Sequence, residues 1–227
     1  MEKLLKELKK YTLEDALEFE NKDRQFIALQ KLYENFQNKN YTIYLALIIC
    51  NSLICYQLSG KGEDYWEEFS NYFLNKEIKH ENIIYEVSEF IKISKNNRRF
   101  IKAKIIRLEK LGNFICELKG KEEYYYKNMI QLRDELVKTM KQKKDAKTIV
   151  FAIKMFGYGA RNIFDFIQYP RGINIPIDSR LTNLFDEYKG NYNSINKFYS
   201  DLSKKLDIPE IHLDAILWIN YNDLINN

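Results

Sequence analysis

The sequence predicts an all-α protein. Three observations point there: apolar residues recur at helical spacing along nearly the whole chain, strand-like alternation bounded by turn pairs is hard to find, and 227 residues include only eight glycines and three prolines. Hydrophobic residues make up 45% of the chain, enough to bury a sizeable core without covalent staples.

The first helix is expected over 2–10, where Met1-Glu-Lys-Leu-Leu-Lys-Glu-Leu alternates charge with leucine, an amphipathic pattern unlike a secretory leader. Helical periodicity continues over 13–20, 22–37 and 41–57. The longest apolar stretch, around Tyr44 to Cys50, falls well short of the ~18 residues a membrane span needs. Gly60-Lys-Gly62 separates it from a helix over 63–74, and further helices follow over 81–94, 98–117 and 120–141. Asp145 suits the N-cap of a helix over 146–156, which Gly157 and Gly159 can end, with another helix over 160–168. Pro170-Arg-Gly172 and Pro176 bracket a loop over 169–177, in which Ile173-Asn-Ile175 can form a short extended piece. Pro176 fixes an extended approach and Asp178 caps a helix over 179–188; helices over 192–206 and 209–224 complete the chain. No repeat or low-complexity linker interrupts it, so 1–227 is expected to be one helical unit.

Composition excludes several classes. Cys50, Cys55 and Cys116 form no C-x-x-C pair and there are only two histidines, which argues against a zinc site or a four-cysteine cluster; the cysteines read as reduced core residues. No metal or organic cofactor is expected. Ser59 and Ser179 have no histidine nearby in sequence for serine-type hydrolysis, and Gly60-Lys-Gly62 is too short, and follows no strand, for a Walker-type phosphate loop. The expectation is a cytoplasmic monomer with no membrane segment. A net charge of +4 hints weakly at a polyanionic partner. The basic residues concentrate in Arg98, Arg99, Lys102, Lys104, Arg107, Lys110 and in Lys138, Lys141, Lys143, Lys144, Lys147, although charge runs are most often solvated helix faces.

Two segments carry chemistry. Lys147 falls in the first turn of its helix, where the helix dipole and the neighbouring Lys143 and Lys144 disfavour a cation and so favour the neutral amine that a nucleophile requires. A surface lysine tolerating the dipole is the plainer alternative. Asp178 is first of all a helix cap, yet a carboxylate beside a lysine also stabilises a cation developing at a sugar carbon. Asp214 and Trp218 are four apart on one helix face, an unusual pairing for pure core.

The run Lys147-Thr-Ile-Val-Phe-Ala-Ile-Lys-Met-Phe-Gly-Tyr, followed by Ile-Pro-Ile-Asp178-Ser-Arg, resembles the archaeal 8-oxoguanine DNA glycosylases, the archaeal GO glycosylase family, a divergent branch of the helix–hairpin–helix glycosylase superfamily. The 31-residue lysine–aspartate separation is a mark of that branch. Tyr56-Gln-Leu-Ser-Gly60-Lys-Gly-Glu-Asp-Tyr-Trp66-Glu-Glu-Phe, Asp23-Arg-Gln25-Phe-Ile-Ala-Leu and Asp214-Ala-Ile-Leu-Trp218 match further blocks in the right order, so the resemblance covers most of the chain.

The resemblance implies two packed helical subdomains with the active site in the cleft between them, and a helix–hairpin–helix-like element over about 130–157. It implies a bifunctional glycosylase and abasic-site lyase acting on double-stranded DNA containing 8-oxoguanine, with single-stranded DNA as a possible further substrate. In that reading Lys147 attacks the anomeric carbon and forms a Schiff base, Asp178 is the catalytic aspartate, Trp66 and Trp218 sandwich the extruded base, and Gln25 and Asp214 hydrogen-bond its edge. The superfamily's hairpin is usually rich in glycine; Lys141-Gln-Lys-Lys-Asp-Ala-Lys147 has none, which shifts phosphate binding toward Lys141, Lys143 and Lys144, with Arg98 and Arg99 from the other basic cluster. The competing readings are a glycosylase for another lesion such as uracil or an alkylated purine, a non-catalytic helical DNA-binding protein, and a protein-interaction module with solvated basic faces.

Overall fold

The computed structural model describes residues 1–36 and 40–226, and every regular element within them is helical. The chain divides into two compact units, Met1–Lys22 with Gln168–Asn227, and Asp23–Ile167. The smaller unit opens with α1 (Glu2–Leu8) and α2 (Leu13–Asn21). The larger contains α3 (Arg24–Glu34), α4 (Tyr41–Ile54), α5 (Gly62–Phe73), a single 3-10 turn (His80–Asn82), α6 (Ile83–Ile93), α7 (Ile101–Glu109), α8 (Gly112–Leu118), α9 (Glu122–Lys127), α10 (Met129–Met140) and α11 (Lys147–Ala160). The chain then returns to the smaller unit with α12 (Ser179–Tyr188), α13 (Ile195–Leu206), α14 (Glu210–Ile219) and α15 (Tyr221–Asn226). The helix expected over 22–37 runs from Arg24 to Glu34, and residue 37 lies outside the described residues.

The larger unit is organised around α4. Every residue from Thr42 to Ile54 is buried, and a helix apolar on all sides has to be surrounded by others. α3, α6, α7, α8 and α11 pack around it, α11 most extensively. That contact corrects one expectation: α11 is not ended by Gly157 and Gly159 but runs through both to Ala160. A Cβ on Gly159 would run into the side chains of Ile48 and Leu45, both wholly buried on α4. Glycine is there for close helix approach, and this need outweighs its poor helix propensity of roughly 1 kcal/mol. Gly159→Val is expected to cost about 1–3 kcal/mol through overpacking, read as a lowered melting temperature.

The other departures have local causes. The helix expected over 120–141 breaks at Asn128, whose side chain donates to the Tyr124 carbonyl at 2.9 Å. The helix expected over 209–224 breaks at Asn220, which donates to Ile216 O at 2.8 Å and accepts from the Tyr11 hydroxyl at 2.6 Å. Asparagine side chains compete with the helical ladder in this way. The helix expected over 98–117 starts only at Ile101, after Phe100 in a left-handed conformation, and breaks again before Gly112, where Leu111 turns inward. No helix forms over 160–168: after Ala160 the Asn162 side chain binds the Tyr44 hydroxyl at 3.0 Å, and the Ile167 amide donates to the Tyr126 hydroxyl at 3.0 Å. Ile173 and Ile175 are buried by an irregular loop rather than by an extended pair.

The smaller unit closes over Leu4, Leu8, Leu184, Phe198, Leu202 and Leu213, with α2 packed along α14. A deeply buried ionisable pair joins two of these helices: His212 Nδ1 lies 2.8 Å from Glu20 Oε1, while Nε2 accepts the Tyr169 amide at 3.2 Å. Acceptance at Nε2 puts the imidazole proton on Nδ1, facing the carboxylate. α12 begins where expected, with Asp178 extended at φ −119° and its Oδ1 accepting the Leu181 amide at 2.9 Å.

Candidate active site

Lys147 is exposed at the first position of α11. Asp145 does not cap this helix as expected: Ala146 occupies the N-cap and no side chain closes it. Start and orientation are set instead by the preceding turn. Lys141 takes the left-handed position at the end of α10 (φ 50°), with its amide bonded to Lys138 O and the Gln142 amide to Val137 O. These two bonds form the Schellman closure that glycine normally serves, here made at lysine, with a left-handed strain of roughly 1–2 kcal/mol. Arg107 of α7 then locks the turn to α11. It donates to Gln142 Oε1 at 2.6 Å, to Thr148 Oγ1 at 2.8 Å and to Leu53 O at 2.7 Å, and Thr148 bonds Gln142 at 3.1 Å. A guanidinium fork thus holds the residue next to Lys147.

Phe151 lies one turn after Lys147 on the same face, and its ring packs 6.3 Å from that of Trp66 on α5. Trp66 is wholly buried, with Tyr65 and Phe69 at its other edges, and its indole Nε1 lacks a hydrogen-bond partner of ordinary geometry. Burial pushes the Cys55 thiol up to about 12, opposed by the Trp66 indole and then by the Lys104 and Lys147 charges. These influences place Trp66, Cys55 and Lys147 in one neighbourhood. Gln25 reaches it from α3: Asp23 caps that helix through the Gln25 amide at 2.8 Å, and the Gln25 carboxamide lies against Gly62, at the start of the helix that bears Trp66. Arg24 ties α3 to α5 through Asp64 and Glu67, each at 2.8 Å.

Lys104 departs from the solvated-face reading of its basic cluster. It is wholly buried, donates to Asn97 Oδ1, and lies 4.6 Å from the Tyr56 ring centre. Burial lowers it to about 8. Because the folded value is below the unfolded one, the unfolded chain binds more protons between about pH 8 and 10.5, and stability rises with pH through that window. Denaturation from pH 7 to 10.5 is expected to show wild type gaining on the order of 2 kcal/mol relative to Lys104→Met, which has nothing to titrate there.

In the smaller unit, Asp178 uses Oδ1 for its cap and is half-exposed. Asp214, on α14, is buried. Both face one phenol: burial, then the Asp178 charge, then that of Asp214, hold Tyr199 far above its ordinary value, while its hydroxyl donates to Leu181 O at 2.5 Å. Trp218, one turn beyond Asp214, is 42% exposed, and the Arg180 guanidinium stands 4.3 Å over its ring. Asp178, Asp214, Arg180 and Trp218 therefore form one cluster.

The expected site residues fall into two groups, Lys147, Trp66 and Gln25 in the larger unit and Asp178, Asp214 and Trp218 in the smaller. Lys141, Lys143, Lys144, Arg98 and Arg99 are all exposed. Arg107, Phe151 and Arg180 were not singled out individually from sequence. Arg180 follows Asp178 by two and had that signal available; the Arg107 contacts are non-local and had none. Among the described residues no cluster of potential metal ligands occurs, and no helix is long and apolar enough to cross a membrane.

The model of the family described as AGOG, N-glycosylase/DNA lyase, matches residues 5–227. The N-glycosylase/DNA lyase of Thermococcus kodakarensis is 41% identical over 221 residues, covering 96% of this chain and 82% of the relative. That of Nanoarchaeum equitans is 38% identical over 217 residues, covering 95% and 88%. Among solved structures, the 8-oxoguanosine complex of Pa-AGOG, the 8-oxoguanine DNA glycosylase from Pyrobaculum aerophilum, matches with a TM-score of 0.82 at 23% identity, covering 97% of this chain and 87% of that one; the two share a fold. With a lysine presented at the start of α11 and a family match spanning both units, the chain belongs to the AGOG N-glycosylase/DNA lyase family.

Proposed function

We propose that this chain excises 8-oxoguanine from double-stranded DNA and nicks the strand at the abasic site, with Lys147 as nucleophile and Asp178 as its carboxylate partner. The placement of Lys147 carries the reading: an exposed amine at the first position of α11, held beside the Arg107 clamp, with Phe151 linking its helix face to Trp66. The ligand of the Pyrobaculum relative supports the choice of base.

The damaged nucleotide leaves the helix at a cost of a few kcal/mol. Its base stacks on Trp66 and Trp218, which requires Phe151 and Arg180 to give way. Gln25 and Asp214 bind its edge; 8-oxoguanine differs from guanine by the N7 proton and O8, so an acceptor facing N7–H favours the lesion and leaves guanine mismatched. The Lys147 amine bonds to C1′ as the C1′–N9 bond breaks, and the base departs with the bond's electron pair and takes up a proton. Asp178 stabilises the positive charge developing at C1′. The amine loses its protons as the sugar ring opens, leaving an imine. Removal of a C2′ proton then expels the 3′ phosphate, and water hydrolyses the imine to free the enzyme. The chemistry needs neither metal nor organic cofactor.

The turn between α10 and α11 serves as the helix–hairpin–helix element, with Lys141, Lys143 and Lys144 on the phosphates and Arg98 and Arg99 on a neighbouring stretch of backbone. The protein acts as a cytoplasmic monomer and also accepts single-stranded DNA. Excision from matched oligonucleotides carrying 8-oxoguanine, uracil or an alkylated purine tests the substrate: nicking confined to 8-oxoguanine is expected. Preference for another lesion, or DNA binding without cleavage, overturns the reading.

A further inference from the structure

Among the described residues, four other than glycine have positive φ: Gln57, Phe100, Lys141 and Asp207. Lys141 and Asp207 close helices, where that conformation satisfies backbone carbonyls. Phe100 precedes α7, with φ 59° and ψ 33°, and its side chain caps nothing. For a bulky residue this is an outlier, and outliers of this kind persist only where the surroundings enforce them. The side chain gains no burial in return, being 61% exposed.

The surroundings do enforce it. The Glu68 carboxylate of α5 accepts from the Ser94 hydroxyl at 2.9 Å, the Lys95 amide at 2.6 Å, and the Asn96 amide and side chain at 3.1 and 2.9 Å. Ser59 and Gly60 donate to Asn96 O at 2.8 and 3.1 Å, and the Ser59 hydroxyl accepts the Arg98 amide at 3.1 Å. Asn97 is buried between Ile54 O, to which it donates at 3.2 Å, and Lys104. A fixed platform thus holds an exposed phenyl ring, directly preceded by Arg98 and Arg99, whose exposed guanidinium groups make no ion pair among the described residues. The platform is geared to the site. Arg107, on the helix that Phe100 opens, clamps Thr148 beside Lys147, and seven residues of helix span about 10 Å.

We propose that Phe100 is a wedge that enters the DNA base stack and fills the gap left when the damaged nucleotide swings out, with Arg98 and Arg99 holding the flanking phosphates. An apolar ring inserted between base steps offsets the stacking lost on extrusion, and it does so for any neighbouring base. Because the gap exists only in a duplex, the wedge acts on duplex substrate alone. This inference rests on the proposed activity toward extruded bases, and the tests are arranged to fail separately.

Single-turnover excision of 8-oxoguanine is measured with wild type, Phe100→Ala and Phe100→Trp on a duplex and on its lesion strand alone, together with affinity for a duplex carrying a tetrahydrofuran abasic analogue and for the intact duplex. Phe100→Ala is expected to slow duplex excision roughly 10-fold, leave the single-strand rate unchanged and lose the preference for the tetrahydrofuran duplex, with Phe100→Trp restoring each. An unchanged duplex rate and tetrahydrofuran preference in Phe100→Ala, or equal losses on duplex and single strand, overturns the wedge. Should wild type excise 8-oxoguanine from neither substrate, the activity reading fails while the tetrahydrofuran preference still decides the wedge.

Discussion

Lys147→Gln is expected to slow single-turnover base excision by on the order of 10³-fold or more, with DNA affinity changed only a few-fold. The amide leaves a polar side chain one atom shorter than lysine and removes the basic electron pair that bonds to C1′. Lys147 is exposed and the clamp on its helix is made by Arg107, Gln142 and Thr148, so the substitution leaves the turn intact. Stopped or quenched reactions with enzyme in excess separate this loss from weaker binding. A variant that excises at near the wild-type rate would show that water or another amine is the nucleophile.

Asp178→Asn is expected to lower the same rate by roughly 10²–10³-fold at nearly unchanged stability. Asp178 has two tasks, and this substitution separates them. Its Oδ1 accepts the Leu181 amide at 2.9 Å, and asparagine caps a helix about as well as aspartate. What asparagine lacks is the negative charge opposite a developing cation. Asp178→Ala provides the control: it removes both tasks, and its melting temperature falls with the lost cap, worth about 1 kcal/mol. If Asp178→Asn excised like wild type, the aspartate would be a cap and nothing more.

Sequence signals that lie within a few residues of their effect were legible. Pro176 and Asp178 fixed the start of α12, and Asp145 marked the entry to α11 to within a residue, although Ala146 takes the N-cap position and no side chain closes it. Gly159 misled because its partners, Ile48 and Leu45, stand more than a hundred residues earlier in the chain. Asn128 and Asn220 break helices through bonds to carbonyls one turn back, and a helical asparagine has the same sequence neighbourhood. Among the site candidates, the two tryptophans were conspicuous, but not that one is wholly buried and the other exposed under a guanidinium. Lys104 read as part of a solvated basic run; its spacing of four from the buried Leu108 was the available clue to an inward-facing lysine.

The central claim is that Lys147 forms a covalent imine with the sugar, and borohydride trapping tests it most directly. An 8-oxoguanine oligonucleotide is incubated with wild type or Lys147→Gln under reduction, and the trapped wild-type adduct is digested and mapped by mass spectrometry. The account predicts a protein–DNA band for wild type, its loss in Lys147→Gln, and the sugar remnant on the peptide bearing Lys147. A band that persists in the variant, a remnant on another lysine such as Lys104 or Lys154, or no band from a wild type that binds the DNA would contradict it.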